Sequence, residues 1–149
     1  MAAGEIAYAQ LRGTLYSTVF LLIMAVAGHV ESWWGVLALP ACVLIGFAFS
    51  AVGMMATTFM RSWQDMDLVP TAVLPLFLLS TTFYPLDVYP PALRPVVQLS
   101  PLYHGVELVR SATLGVADWS LLGHAAVLAT MAAVGLVITG RRLERLLLQ

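Results

Sequence analysis

The chain has 149 residues, of which 60% are hydrophobic and 10% are charged, and its formal net charge at pH 7 is -1. So few charges exclude an ordinary soluble domain, in which about 25% of the residues are charged. All seven basic residues are arginine, and they form no basic cluster before the last apolar stretch. The composition therefore gives no sign of nucleic-acid binding.

Four apolar stretches predict membrane-spanning helices, because a helix satisfies its own backbone hydrogen bonds where the bilayer offers no water. The predicted spans cover residues 14–30, 35–60, 68–83 and 120–140. Pro70 and Pro75 predict that the third span begins irregularly and kinks. The predicted fold is an all-α integral membrane protein, with residues 1–149 forming a single membrane domain.

The amino-terminal stretch also has a second interpretation. Its apolar run ends in Ala25-Val26-Ala27, which resembles the cleavage site of a signal peptide. A signal peptide begins with a basic region, however, and here Glu5 offsets Arg12. We therefore expect residues 1–13 to be a short cytoplasmic lead into an uncleaved first span.

The arginines predict the orientation of the spans, because cytoplasmic loops of membrane proteins are enriched in basic residues. Five of the seven flank one set of span ends: Arg12, Arg61, Arg141, Arg142 and Arg145. Both termini are therefore expected in the cytoplasm, with residues 141–149 as a cytoplasmic tail. Residues 31–34 and 84–119 are then expected on the outer side.

The second predicted span contains small residues on one helical face. They recur at spacings of four, four and three: Cys42, Gly46, Ser50 and Gly53. Small side chains allow the backbone of a neighbouring helix to approach closely. We expect this face to pack against another span.

The long outer segment, residues 84–119, is predicted to contain a short amphipathic or re-entrant helix. Pro101 is expected at the start of a helix that reaches Leu114, because proline suits the first position of a helix. Its polar residues recur at helical spacing on one side: Tyr103, His104, Glu107, Arg110 and Ser111. The helix is too short to span the membrane and is expected to lie against or dip into its outer half.

The polar stripe of His104, Glu107 and Arg110 has two interpretations. Glu107 is spaced to pair with His104 and with Arg110, because residues three apart are neighbours on a helix. The stripe is either the wet face of an interfacial helix or the wall of a water-accessible cavity between helices, where ionisable groups mark a pathway. Periodicity does not separate the two.

Three motifs resemble a known family. They are Pro101-Leu102-Tyr103-His104 followed by Arg110 after five intervening residues, Phe83-Tyr84-Pro85-Leu86 after a span, and Gly4-Glu5-Ile6 with Leu11-Arg12-Gly13 before the first span. Together they resemble type 2 ABC transporter permeases, the membrane subunits of bacterial ATP-binding-cassette exporters. The match is most similar to the nodulation-factor and antibiotic export subgroup, and it covers only the last four spans of such a permease.

The resemblance implies a function in the bacterial plasma membrane. Two permease subunits, as a homo- or heterodimer, would join two ATP-binding subunits and export amphipathic, lipid-linked, glycan or drug-like substrates. The chain has no lysine and no phosphate-binding glycine loop, so ATP is expected to be hydrolysed by the partner. The chain itself is expected to be no enzyme and to need no cofactor or metal.

The resemblance also implies two sets of site residues. The family signature, which we interpret as an outer gate, consists of Pro101, His104, Glu107 and Arg110. The possible contacts with the ATPase subunit lie in segments predicted to be cytoplasmic: Glu5, Arg12, Arg61, Asp65 and Asp67.

Other classes of membrane protein remain as alternatives. His29 and His124 lie near the outer ends of two predicted spans and could be axial haem ligands of a cytochrome. Ser50 could be the nucleophile of an intramembrane hydrolase, although its surroundings lack the spacing of a nucleophile elbow. A structural four-span protein without transport activity is the remaining alternative.

Overall fold

A computed structural model of the chain describes residues 2–30, 33–116 and 118–147. These residues form six α-helices, and no strand occurs among them. The helices are α1 (Ala2–Val26), α2 (Ala38–Thr57), α3 (Leu68–Leu78), α4 (Arg94–Leu99), α5 (Pro101–Leu114) and α6 (Ser120–Leu147). Short 3-10 helices precede α2 and α3, at Trp33–Leu37 and Trp63–Asp67, and a third lies at Leu86–Val88. The ends of the predicted lead and tail and parts of the two predicted outer segments lie outside the described residues: Met1, Glu31, Ser32, Ala117, Leu148 and Gln149.

Three of the helical segments in the described part of the chain are long and apolar enough to cross a membrane: Gly4–Val26, Trp33–Thr57 and Ser120–Glu144. They correspond to the first, second and fourth predicted spans. The all-helical fold is therefore confirmed, with three candidate membrane spans among the described residues.

The third predicted span, residues 68–83, is shorter in the structure than expected. Helix α3 has 11 residues and ends at Leu78, three residues after Pro75. The chain then turns through Thr81, whose φ of 59° lies in the left-handed region that side chains other than glycine rarely adopt. The turn ends the helix, so a fourth full span stays a prediction.

Helix α1 is continuous from Ala2 and includes most of the predicted lead. The side-chain amide of Gln10 donates a hydrogen bond to the carbonyl of Val43 and lies against Gly46. The opposite end of α1 shares a cavity wall with Gly35 and Leu39. Helix α1 therefore runs antiparallel to α2, and its first half packs beside the middle of α2.

Helices α2 and α6 form the core of the bundle. Ala51 of α2 meets Gly135 of α6, and further along both helices Phe59 meets the guanidinium of Arg142, with 3.8 Å from Cζ to the ring centroid. The two helices are therefore parallel. The chain between them must return along the bundle, and α3 begins this return.

The packing of α2 uses two small-residue faces. Ala38, Ala48 and Ala51 are at most 1% exposed, and Ala48 belongs to the core that α2 forms with α6 and α5. The predicted face is a different one: Cys42, Gly46 and Ser50 share a cavity with α1 residues such as Gln10 and Thr14. A Cβ atom at Gly53 would meet nothing within 4 Å.

The contact of α2 with α6 predicts a position-specific effect of adding one methyl group. A Cβ atom at Gly135 would lie 2.9 Å from the backbone carbon of Ala51. Gly135→Ala should therefore separate the helices and destabilise the protein by about 1–3 kcal/mol, as overpacking typically does. Thermal unfolding in detergent would measure the loss.

Gly140→Ala is the matched control, because Gly140 lies on the same helix and has open space around its Cβ position. It should be neutral or stabilise by up to about 1 kcal/mol, since glycine weakens a helix interior. Equal melting temperatures for the two variants would contradict the close approach.

Candidate functional site

Helix α5 is defined at both ends by its sequence. It begins at Pro101, in the first turn where a missing N–H costs nothing. It ends before Gly115, whose φ of 73° is left-handed and whose N–H donates to the carbonyl of Ser111. The signature residue Pro101 therefore fixes where the helix starts, and the polar stripe follows from that start.

The apolar face of α5 is seated on α2 and α6. Gly105, Leu108 and Ala112 are buried, and Leu108 joins the core cluster. A Cβ atom at Gly105 would lie 3.3 Å from the side chain of Ile45, so the glycine allows α5 to sit close to α2. The polar residues of α5 are thereby directed toward the turn after α3 and the start of α6.

Glu107 and Arg110 form the predicted pair and together hold the turn after α3. The Nη1 atom of Arg110 lies 2.6 Å from Oε1 of Glu107, and Nη2 donates to the carbonyl of Thr81 over 2.7 Å. The Thr81 hydroxyl donates to the same Glu107 oxygen over 3.3 Å. Thr81 and Ser80 are fully buried. The carboxylate and the guanidinium thus meet the polar groups of a buried turn.

This arrangement leaves both interpretations of the stripe open. The side chains of Arg110 and Glu107 are 37% and 22% exposed, so they are neither freely solvated nor fully enclosed. Both also form a hydrogen bond with Thr81, which lies 26 positions before Glu107 and 29 positions before Arg110 in the chain. The pair therefore acts as a clamp between α5 and the α3 turn, which we call the Thr81 clamp (Thr81, Glu107 and Arg110).

His104 is paired with His124 of α6. The two Nδ1 atoms are 2.7 Å apart, and the rings lie against the ring of Tyr103 at centroid distances of 5.5 Å and 5.8 Å. Two facing imidazole nitrogens can share one proton but cannot both be protonated without repulsion. The histidine pair therefore joins α5 to α6 most firmly when at least one ring is neutral.

The surroundings of His104 favour its neutral form. Burial lowers the pKa of His104, and the neighbouring His124 ring lowers it further, while a hydrogen bond with the backbone of Gln98 acts in the opposite direction. The two candidate haem ligands are His124 and His29. His29 lies outside the histidine pair and contacts the carbonyl of Ala27 over 3.1 Å. In the part of the chain that the structure describes, no three His, Cys, Asp or Glu side chains are placed to hold a metal ion.

The candidate ATPase contacts lie at different levels of the bundle. Oδ2 of Asp65 accepts hydrogen bonds from the N–H groups of Arg61 and Ser62 at 2.8 Å and 3.1 Å. These N–H groups lower the pKa of the Asp65 carboxyl. Asp67 ends the same 3-10 helix, so the loop 61–67 forms a compact, exposed unit after α2.

Glu5 and Arg12 are on α1, away from this loop. Both are exposed, and Nε of Arg12 lies 3.3 Å from the hydroxyl of Tyr16 one turn later. Because Gln10 packs against Gly46, Arg12 lies beside the middle of α2. The structure thus groups Arg61, Asp65 and Asp67 and leaves Arg12 apart from them.

Several polar residues at the site carried no signal in the sequence. Thr81 follows an apolar run. The sequence relates His124 only to His29, because both lie near the outer ends of predicted spans. Arg94 closes the outer loop, with Nε and Nη2 donating to the carbonyls of Tyr89 and Asp87 at 3.1 Å each. Neither His124 nor Thr81 has a helical spacing to α5, so periodicity had no means of pairing them with it.

Comparison with known families gives one match. Residues 1–114 match the model of a family described as ABC-2 type transporter. The matched part includes the Thr81 clamp and all of α5, and it ends at the last residue of that helix. No curated protein and no solved structure matches the chain significantly.

The Thr81 clamp predicts a measurable coupling. Arg110→Ala removes the donor to Thr81 and leaves the Glu107 carboxylate without its guanidinium, which should destabilise the protein by about 1–3 kcal/mol. The double variant Glu107→Ala, Arg110→Ala should lose less than the sum of the single losses, because no unpaired charge remains. Thermal unfolding of the four proteins in detergent would measure the coupling.

Arg12→Ala is the matched control for loss of an arginine, because the Arg12 side chain is exposed. It should change the melting temperature little. Strict additivity of Glu107→Ala and Arg110→Ala would rule out the clamp.

The histidine pair predicts a pH dependence. The lowered pKa of His104 means that the folded protein favours the neutral ring more than the unfolded chain does. This stabilisation is complete above the unfolded pKa of about 6.5 and is lost as the pH falls from there through the lower folded pKa. The melting temperature should therefore decline over this interval.

His104→Gln should flatten that part of the pH profile, whereas His29→Gln should leave it intact because His29 is exposed and outside the pair. Melting temperatures recorded between pH 5 and 8 would make the comparison. An unchanged slope in the His104 variant would show that the pair is not the source.

Proposed function

Because the chain belongs to the ABC-2 type transporter family and is a permease component of an ABC transporter, we propose that it moves amphipathic, lipid-linked, glycan or drug-like substrates out of the cell. The observation that carries this proposal is the family match, which includes the whole polar stripe of α5. The signature from Pro101 to Arg110 supports the nodulation-factor and antibiotic export subgroup.

The transporter assembly follows from the family. ABC-2 permeases function with an ATP-binding cassette partner and in a dimeric arrangement, and the permease component is not itself catalytic. In our proposal this chain pairs with a second permease copy in the bacterial plasma membrane, and ATP hydrolysis occurs in the separate subunit. No cofactor is assigned to the permease itself.

The topology is proposed with both termini in the cytoplasm. The parallel course of α2 and α6 supports a return crossing between them, which residues 68–83, beginning with α3, would make. The aromatic contact of Phe59 with Arg142 places that end of both helices at one level, where the arginine bias favours the cytoplasm. Four spans would then bring the α5 end of the bundle to the outer surface.

The outer gate is proposed to be α5 with its two polar connections. His104 joins it to α6, and the Thr81 clamp joins it to α3. A helix held by polar contacts at its sides can shift between two packed positions without losing its apolar seat. In this proposal Pro101 fixes the start of the moving helix, and His104, Glu107 and Arg110 determine when it moves.

The docking site for the ATPase is proposed to be the loop 61–67, together with Glu5. The exposed loop is held in one shape by Asp65, and Trp63 is 87% exposed at its start. The position of Arg12 beside the middle of α2 supports a contact with the ATPase less well than the exposed positions of the loop residues do. We therefore expect Arg61, Asp65 and Asp67 to make the main contact.

The proposal is tested by co-expression with a candidate ATP-binding cassette subunit from the same organism. We expect the two to co-purify, and inside-out vesicles containing both to accumulate a fluorescent amphipathic substrate when ATP is added. Asp67→Arg should reduce co-purification by reversing a charge on the docking loop. Binding should be measured first, because it separates loss of assembly from loss of transport.

Asp87→Arg is the matched control, because it makes the same charge change in the outer segment. It should leave co-purification unchanged. Accumulation of substrate by right-side-out rather than inside-out vesicles would contradict the proposed outward direction of transport. ATP-driven transport by the permease alone would contradict the proposal that ATP is hydrolysed by a separate subunit.

A further inference from the structure

A cavity of about 470 Å³ lies at the end of the bundle where α2 and α6 begin. Helix α5 closes one side of it. The wall is almost wholly apolar and includes Leu37, Leu44, Leu108, Leu121 and Leu122. The cavity is at the opposite end of α2 and α6 from the contact of Phe59 with Arg142.

Two tryptophans and a carboxylate line the same cavity. Trp34 comes from the 3-10 helix before α2, and Asp118 and Trp119 directly precede α6. Trp119 is 84% exposed. The backbone N–H of Trp119 donates a hydrogen bond to Oδ1 of Asp118 over 2.7 Å. Indole rings at the end of spanning helices favour the level of the lipid headgroups.

The chemistry of these residues selects one kind of ligand. The Asp118 carboxylate attracts an ammonium group through charge, and the two indole rings that line the same cavity can add a cation–π interaction. An apolar cavity beside it suits a hydrocarbon chain. A lipid with an anionic headgroup would instead bring like charge to Asp118. The site therefore combines the two features of a lipid with an ammonium headgroup.

The size of the cavity supports a lipid chain over a protein segment. Ligand cavities measure about 300–1,000 Å³, which includes the observed volume. A packed α-helix is about 10–12 Å across, so about one turn of it would fill the space. A flexible acyl chain can follow the cleft between α2, α5 and α6.

We propose that this cavity binds a phospholipid with an ammonium headgroup, with one acyl chain between α2, α5 and α6 and the ammonium group at Asp118, Trp34 and Trp119. The proposal is independent of the export function, since it uses residues outside the Thr81 clamp and the docking loop. A lipid bound here contacts Leu108 of α5 and Leu121 of α6, so it would fill the seam between the two helices.

Quenching of tryptophan fluorescence by brominated acyl chains tests the proposal. The full chain carrying Trp33→Phe and Trp63→Phe retains Trp34 and Trp119 as its tryptophans. It is reconstituted in an equal mixture of phosphatidylethanolamine and phosphatidylglycerol, with either one or the other lipid brominated. We expect brominated phosphatidylethanolamine to associate about two- to fivefold more strongly, the range that an exposed cation–π contact provides.

Variants at Asp118 separate headgroup recognition from general lipid contact. Asp118→Asn should remove the preference, and Asp118→Glu should retain it because the charge remains. Asp87→Asn is the matched control, since Asp87 is an outer-segment carboxylate that does not line the cavity. Each variant is compared at an unchanged melting temperature, which confirms folding.

Three results would overturn the proposal. Equal quenching by both brominated lipids would indicate ordinary annular lipid. Quenching no stronger than that of a tryptophan peptide at the same depth would indicate that no acyl chain occupies the cavity. A preference that persists in Asp118→Asn would assign the selectivity to another part of the chain.

Discussion

The close approach of α2 and α6 is the constraint on which the rest of the structure depends. Between helices in a membrane, association depends on van der Waals packing more than on exclusion of water, because lipid is as apolar as leucine. Ala51 and Gly135 provide that packing by presenting almost no side chain at the point of contact. The two parallel helices then form a cleft, and Leu108 places α5 in it.

Helix α5 contacts both the α2–α6 pair and the turn after α3, because its sides differ in chemistry. Its small apolar face fits the cleft, with Gly105 beside Ile45. Its polar side would be costly at membrane depth if each group lacked a partner. Arg110 and Glu107 neutralise each other and meet Thr81, while His104 meets His124. The partners make a polar helix compatible with a largely apolar bundle.

The sequence predicts the parts of this arrangement that depend on local spacing. The positions of α5 and of its polar stripe follow from Pro101 and from the helical period, and the pair of Glu107 with Arg110 follows from a separation of three residues. The partners of the stripe do not, because Thr81 and His124 are brought to it by the path of the chain. Periodicity detects a helix face but carries no information on what the face meets.

The packing of α2 shows the same limit. The spacing of Cys42, Gly46 and Ser50 correctly indicates a face that another span approaches, but that span is α1. The contact with α6 uses Ala48 and Ala51, and alanine is so common in apolar helices that its recurrence draws no attention. The length of α3 does not follow from its sequence for a related reason. Pro75 predicts a kink, but the helix ends at a turn that residues of α5 hold in place.

The two polar connections of α5 differ in kind, and this difference bears on how a gate at this position would work. The Thr81 clamp joins an ion pair to the carbonyl of a buried turn. The histidine pair joins two imidazole rings, and burial lowers the pKa of His104, so a charge on that ring is unfavourable where the pair forms. Acidification would therefore weaken the polar link between α5 and α6, while the apolar seat of Leu108 against α2 and α6 still holds the helix in the bundle. A gate built on α5 would then respond to pH through its polar link and not through its packing.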